Sequence, residues 1–212
     1  FAFNPYCSYN ADYDCPIPPA GNHLSFKVLA GEKFFKEHKS HAKFQIDTSE
    51  IEMSCLKIGL VNLHKIDSTI RIDIRYTSTQ NFVGIDMYKD FNKAYLHPKT
   101  ANKLKKAQES LKEKNPNFSL IVFDAARPLS VQQTMWDSLE MGMPQKSKYL
   151  SNPNNPSLHN YGAAIDLSII DIETDTLLDM GTDFDFFGKE ASPRYESEML
   201  AAGKLTANQI KN

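Results

Sequence analysis

Hydrophobic and polar positions alternate strictly through Ile70-Arg71-Ile72-Asp73-Ile74-Arg75-Tyr76, setting three isoleucines and Tyr76 on one face and Arg71, Asp73 and Arg75 on the other. A period of two predicts a half-buried strand. From Pro98 the period lengthens: Ala101, Leu104, Ala107 and Leu111 recur near helical spacing, and Asn115-Pro116 closes the pattern. Residues 118–123 are nearly all apolar and predict a central strand. After Asp124-Ala125-Ala126-Arg127-Pro128 a second helix is predicted, with Ser130 as N-cap and Val131, Met135, Trp136 and Leu139 as its buried stripe. The Pro- and Asn-rich residues 144–156 predict a loop leading to His159. Ala164 through Asp171 predicts another strand, returned by a hairpin at residues 173–176 through Leu177 and Leu178. This succession predicts an α+β fold with a mixed or antiparallel central sheet flanked by helices.

The N-terminal part lacks such order. Residues 1 to about 25 are rich in Pro, Tyr, Asn and Asp, and Pro16-Ile17-Pro18-Pro19-Ala20-Gly21 can continue neither a helix nor a ladder. The run Lys36-Glu37-His38-Lys39-Ser40-His41 reads as a solvated charged face rather than a metal tract. Residues 1–65 are therefore expected to form a partly irregular extension, and residues 66–212 the domain that carries the chemistry. At the other end, Thr206-Ala207-Asn208-Gln209 has the form of a capping box. Only Ile210, Lys211 and Asn212 follow it, whereas an isolated helix needs roughly 12 or more residues. The expectation is that the sequence stops inside an element.

Composition narrows the partners. The 212 residues are 41% hydrophobic and 24% charged, and 24 Lys and Arg against 26 Asp and Glu give a net charge of -2. That balance suggests neither nucleic acid nor an anionic membrane surface, leaving a small molecule as the expected partner. No apolar run reaches the roughly 18 residues needed to span a bilayer. The first residue is Phe1, which predicts a removed leader, a secretory signal among the options, or a trimmed fragment. A Cys7–Cys15 disulfide would suit an oxidising compartment and leave Cys55 as a free or buried thiol. The expected location is the periplasm or cell envelope, with the cytoplasm as alternative.

The chemistry gathers at Ser157-Leu158-His159-Asn160-Tyr161-Gly162-Ala163-Ala164-Ile165-Asp166, where a histidine and a carboxylate stand seven residues apart around a small-residue bend. An unprotonated imidazole and a carboxylate aimed at one point make two zinc ligands. If Ala164, Asp166 and Ser168 share a strand face, Ile165, Leu167 and Ile169 pack the other. Asp166 is then desolvated and needs a partner, which a metal would be. The other reading has Asp166 accepting backbone hydrogen bonds and His159 capping the loop. Arg127, held stiffly before Pro128, is either a surface partner of Asp124 or a fixed cation over a developing oxyanion.

Four segments in order carry a resemblance: Arg75-Tyr76 with Asn81-Phe82-Val83-Gly84; Phe123-Asp124-Ala125-Ala126-Arg127-Pro128; Ser157-x-His159-x-x-Gly162-x-Ala164-x-Asp166; and Met180-Gly181-Thr182-Asp183-Phe184-Asp185-Phe186. From about residue 70 onward the chain resembles the zinc D-alanyl-D-alanine dipeptidases of the VanX type. The resemblance implies the zinc fold of the D-Ala-D-Ala peptidases and hedgehog-like domains. It also implies Zn2+ held by His159, Asp166 and a further histidine, polarising the scissile carbonyl and an attacking water. Arg127 would stabilise the oxyanion. Asp185, with Tyr76 and Ser157, would surround the free ammonium of a D-Ala-D-Ala substrate from cell-wall peptide metabolism and restrict cleavage to dipeptides. Asp185 read without the family is a turn carboxylate between core phenylalanines.

Two departures stand out. Leu158 occupies a position where the family commonly has serine, and no Glu-x-x-His, the family's source of general base and third zinc histidine, occurs anywhere in the sequence. The 212-residue chain is accordingly expected to be inactive or nearly so, and the capping box at Thr206 agrees with a missing C-terminal part. The alternatives are a peptidoglycan DD- or LD-carboxypeptidase and a non-catalytic module that binds zinc or cell-wall peptide; the sequence leaves the oligomeric state open.

Overall fold

The longest apolar run of the sequence becomes the strand to which the other elements attach. The computed structural model describes residues 48–211; the irregular extension predicted over residues 1 to about 25, the Cys7–Cys15 pair and the charged run at 36–41 lie outside the described residues. Strand β4 (Phe118–Asp124) is buried at every position but its first. It sits inside a four-stranded sheet of order β2-β4-β5-β6. Strand β2 (Arg71–Ile72) lies parallel to it, and β5 (Asp166–Asp171) antiparallel. Strand β6 (Thr176–Leu177) returns antiparallel on β5. The sheet is mixed and the fold α+β, as the hydrophobic pattern predicts. A separate antiparallel pair joins β1 (Val61–Asn62) and β3 (Tyr95–Leu96).

Local expectations fare unevenly. The alternation at 70–76 holds in burial, with Ile70, Ile74 and Tyr76 inside, but ladder pairing stops at Ile72. Asp73 N still donates to Val122 O, after which Thr77 N donating to Ile74 O and Ser78 N to Arg75 O close a 3-10 turn at Arg75–Thr77, and the Tyr76 carbonyl accepts from Met87 and Tyr88 N–H. Helix α3 (Pro98–Lys114) matches its prediction except on one residue: Ala107 is exposed and Gln108 is buried. The Gln108 amide earns that position by accepting from Leu120 N at 2.8 Å and donating to Ser119 Oγ at 2.9 Å. Ser130 is not the N-cap of α4 (Leu129–Ser138); the extended Pro128 is, and its carbonyl accepts from Gln132 N. The predicted loop at 144–156 contains α5 (Met143–Tyr149), because Pro144 falls in a helix's first turn, where its missing N–H costs nothing. The Thr206–Gln209 pair does form a capping box, starting a short helix, Ala207–Lys211.

The main core lies on one sheet face and takes in Ile70, Leu96, Val122, Val131 and Met135, together with Ile51, Cys55, Leu60 and Leu63 from α1 (Thr48–Lys57), α2 (Leu63–Ile66) and the segment between them. Ile121, Phe123 and Ile170 form a smaller cluster on the other face, covered by Phe184. Leu167, expected to pack, is 42% exposed, while Ser168 on the opposite face is buried. Cys55 is a buried free thiol, pushed up to about 11 by that burial. Among the described residues no helix is long and apolar enough to cross a membrane.

Candidate metal centre

His159 stands on a 3-10 turn, Leu158–Tyr161, that is stitched to the end of β4. Arg127 N donates to His159 O at 3.0 Å, and Asn160 Nδ2 donates to Arg127 O at 2.8 Å. Gly162 then adopts a left-handed conformation, φ +63, and a Cβ there would lie 2.8 Å from His97 N and 3.1 Å from Leu96 C. Only glycine combines that φ with such close backbone approach. The bend delivers the chain into β5, whose first residue, Asp166, pairs with Asp124 across an irregularity between Val122 and Asp124.

This arrangement turns two donors toward each other. His159 Nδ1 lies 2.9 Å from Ala125 O, so a proton on that nitrogen leaves the Nε2 lone pair free. Nε2 is 3.6 Å from Asp166 Oδ1. Donor atoms about 2.1 Å from a tetrahedral zinc ion lie about 3.4 Å apart, so the pair suits a shared ion. Burial raises the Asp166 carboxyl above the ordinary carboxylate range, against the pull of His159. Asp124, His159 and Asp166 together form a group able to hold a metal ion, their donor atoms within 4.8 Å of one another. Asp124, however, lies on the Nδ1 side, 3.7 Å from that nitrogen, and its Oδ2 accepts from Arg127 Nε at 3.1 Å and Nη2 at 2.5 Å. Ligation by Asp124 would strip Arg127 of its counter-charge; its place is as a brace behind His159 and Asp166.

Arg127 is not a surface arginine. It is 6% exposed, its guanidinium carbon 5.2 Å from the centroid of the Tyr76 ring. Burial opposes its charge, but Asp124 together with Tyr88 and Tyr76 outweighs that and holds its pKa above the ordinary arginine value. The Tyr76 hydroxyl donates to Asp185 Oδ2 at 3.0 Å, and Tyr76 meets Phe82, Tyr88 and Phe184 edge-on. Asp185 has φ +58, and burial pushes its carboxyl up to about 6.

The structure thus brings five of the predicted residues, Tyr76, Arg127, His159, Asp166 and Asp185, into one neighbourhood. The sixth, Ser157, has its hydroxyl engaged, 3.0 Å from Gln132 Oε1 and 3.1 Å from Asn160 Oδ1. Asn160 and Gln132 are supports that the sequence reading did not single out. Asn160 is signalled by its place three residues after Ser157, the spacing of a capping box. Gln132, wholly buried beside the apolar stripe of α4, has no signal beyond being polar there.

Over 172 residues the chain is 26% identical to a D-alanyl-D-alanine dipeptidase of Enterococcus faecium, covering 74% of this chain and 80% of that protein. It is 26% identical over 137 residues to a D-alanyl-D-alanine dipeptidase of Synechocystis sp. (strain ATCC 27184 / PCC 6803 / Kazusa), 53% of this chain and about half, 55%, of that relative. Residues 1–33 match a different family, described as a protein of unknown function. Residues 56–206, most of the chain and all of the neighbourhood just described, match the peptidase family described as D-ala-D-ala dipeptidase, and the chain belongs to that family.

Proposed function

We propose that the chain carries the zinc-holding and substrate-holding residues of a hydrolase that cleaves D-alanyl-D-alanine in cell-wall peptide metabolism, working in the periplasm or cell envelope. The observation that carries this reading is the pairing of His159 Nε2 with Asp166 Oδ1 at 3.6 Å while Nδ1 is occupied by Ala125 O. Zinc bound there would act as a Lewis acid toward the scissile carbonyl and lower the pKa of a bound water. Arg127, kept charged by Asp124, is suited to meet negative charge growing on the carbonyl oxygen. Asp185 is ionised at neutral pH and already oriented by Tyr76, so its carboxylate can accept from the substrate's free ammonium. A longer peptide has no ammonium at that position, which favours dipeptides. Ser157 joins this set by exchanging its contact with Gln132 or Asn160 for one to the substrate.

Residues 1–212 contain no Glu-x-x-His, so a polypeptide of these residues has neither the family's base nor its third histidine. Zinc affinity is then expected to be weak, and loss of the base lowers turnover by about 10²–10⁴. Substrate recognition is separable from turnover. Calorimetric titration of the zinc-supplemented chain is expected to give tighter binding of D-Ala-D-Ala than of its N-acetyl derivative, with the difference abolished by Asp185→Asn. Equal binding of both ligands by the wild-type chain would remove Asp185 from the substrate site and favour a carboxypeptidase acting on longer stem peptides.

A further inference from the structure

Asp185 is an awkward residue to hold still. Its backbone lies in the left-handed region that L side chains rarely adopt, and Phe186 and Phe187, which follow it, are each 47% exposed. Phe184, just before Asp185, is anchored on Tyr76 and Phe123, and beyond Asp185 a set of three rings from three separated parts of the chain holds the segment. Phe187 meets Phe82 at 5.4 Å and Tyr149 at 4.7 Å, both edge-on, while Phe82 and Tyr149 stack at 6.5 Å. Phe82 in turn meets the edge of Tyr76, the residue whose hydroxyl holds Asp185. The ring contacts therefore close a circuit through the carboxylate.

Two of the three rings stand on rigid bases. Asn81 Nδ2 donates to Ser78 O at 2.7 Å and Ile85 O at 3.0 Å, and its Oδ1 accepts from Val83 N and Gly84 N, which fixes the loop carrying Phe82. Tyr149 ends α5, which is tied to α4 by Lys146 Nζ donating to Trp136 O at 2.7 Å and is followed by the buried Leu150. The third ring, Phe187, is the one on the Asp185 segment.

We propose that Phe82, Tyr149 and Phe187 form an aromatic clasp that fixes the Asp185 carboxylate against Tyr76, making Tyr149 a positioning residue for recognition of the substrate's amino group. This rests on the proposed substrate role of Asp185 for its functional consequence, but the clasp itself does not. Tyr149 touches neither metal donor; it acts through Phe187 and the backbone of residues 184–188.

The test combines backbone NMR relaxation with ligand binding on the full 212-residue chain. In Tyr149→Ala, which loses one edge-on and one stacked ring contact, the backbone order parameters of residues 184–188 are expected to fall below about 0.6, with α3 unchanged as a measure of intact fold. The preference for D-Ala-D-Ala over its N-acetyl form should shrink about five- to tenfold. Tyr149→Phe, which keeps the ring, should restore both. Phe187→Ala attacks the same contacts from the other side and serves if Tyr149→Ala does not fold. Unchanged order parameters in these alanine variants, or failure of Tyr149→Phe to restore them, overturns the clasp. Lowered order parameters together with equal binding of free and acetylated dipeptide by wild type supports the clasp and overturns the substrate role of Asp185.

Discussion

Asp185 and Asp124 are both carboxylates in low-exposure surroundings, yet their neighbours give them opposite tasks. Burial raises Asp185 from 3.8 to about 6, against the downward pull of the Tyr76 hydroxyl that donates to it. Between those values the folded protein holds a proton that the unfolded chain has released. Stability therefore falls as pH rises through that window and levels off above it. Asp185→Asn is predicted to reduce that slope, measured by urea unfolding at several pH values, and affinity for a free-amine dipeptide should rise over the same window as the carboxylate forms. Asp124 has the opposite environment: Arg127 neutralises it inside the protein, both side chains nearly inaccessible. Removing one partner strands the other, so Asp124→Asn should cost about 3–5 kcal/mol in denaturant unfolding, while replacing both residues by apolar ones of similar volume should cost much less.

At the scale of elements, the turn Leu158–Tyr161, the bend at Gly162 and the start of β5 act as one positioning unit. The His159-to-Asp166 spacing was legible in the sequence because a short bend into a strand admits few paths, and Gly162 marks it. Gly162→Ala is predicted to cost about 1–3 kcal/mol for the left-handed backbone alone, more with the clash against His97 N, and to weaken metal uptake by displacing His159. Unfolding curves and metal titration of that variant check both parts. Elements set by distant contacts were less legible. The 70–76 alternation reported burial correctly but not ladder length, since pairing ends at Ile72 and Ile74 N donates instead to the Asn92 side chain. Helix α5 was hidden because Pro144 at a helix start and proline in a loop look alike in sequence.

For the molecule as a whole, the apolar run at 118–123 announced the central strand, and the helix after Pro98 announced what would cover it. The mixed sheet follows from those two signals and the hairpin after Asp171. The brace around the metal donors was not legible in the same way. Ala125 O is a backbone atom, Asn160 and Gln132 hold the turn through side-chain amides, and Gln108 replaces Ala107 inside because of β4 groups 11 and 12 residues away. Such supports depend on three-dimensional neighbours that no local pattern encodes.

The central claim is that His159 and Asp166 jointly grip one divalent ion, and cobalt or zinc titration of the 212-residue chain tests it most directly. One ion per chain is predicted, with affinity lost in His159→Ala and in Asp166→Asn but kept in Cys55→Ser. Uptake by both of the first two variants at wild-type affinity would contradict it.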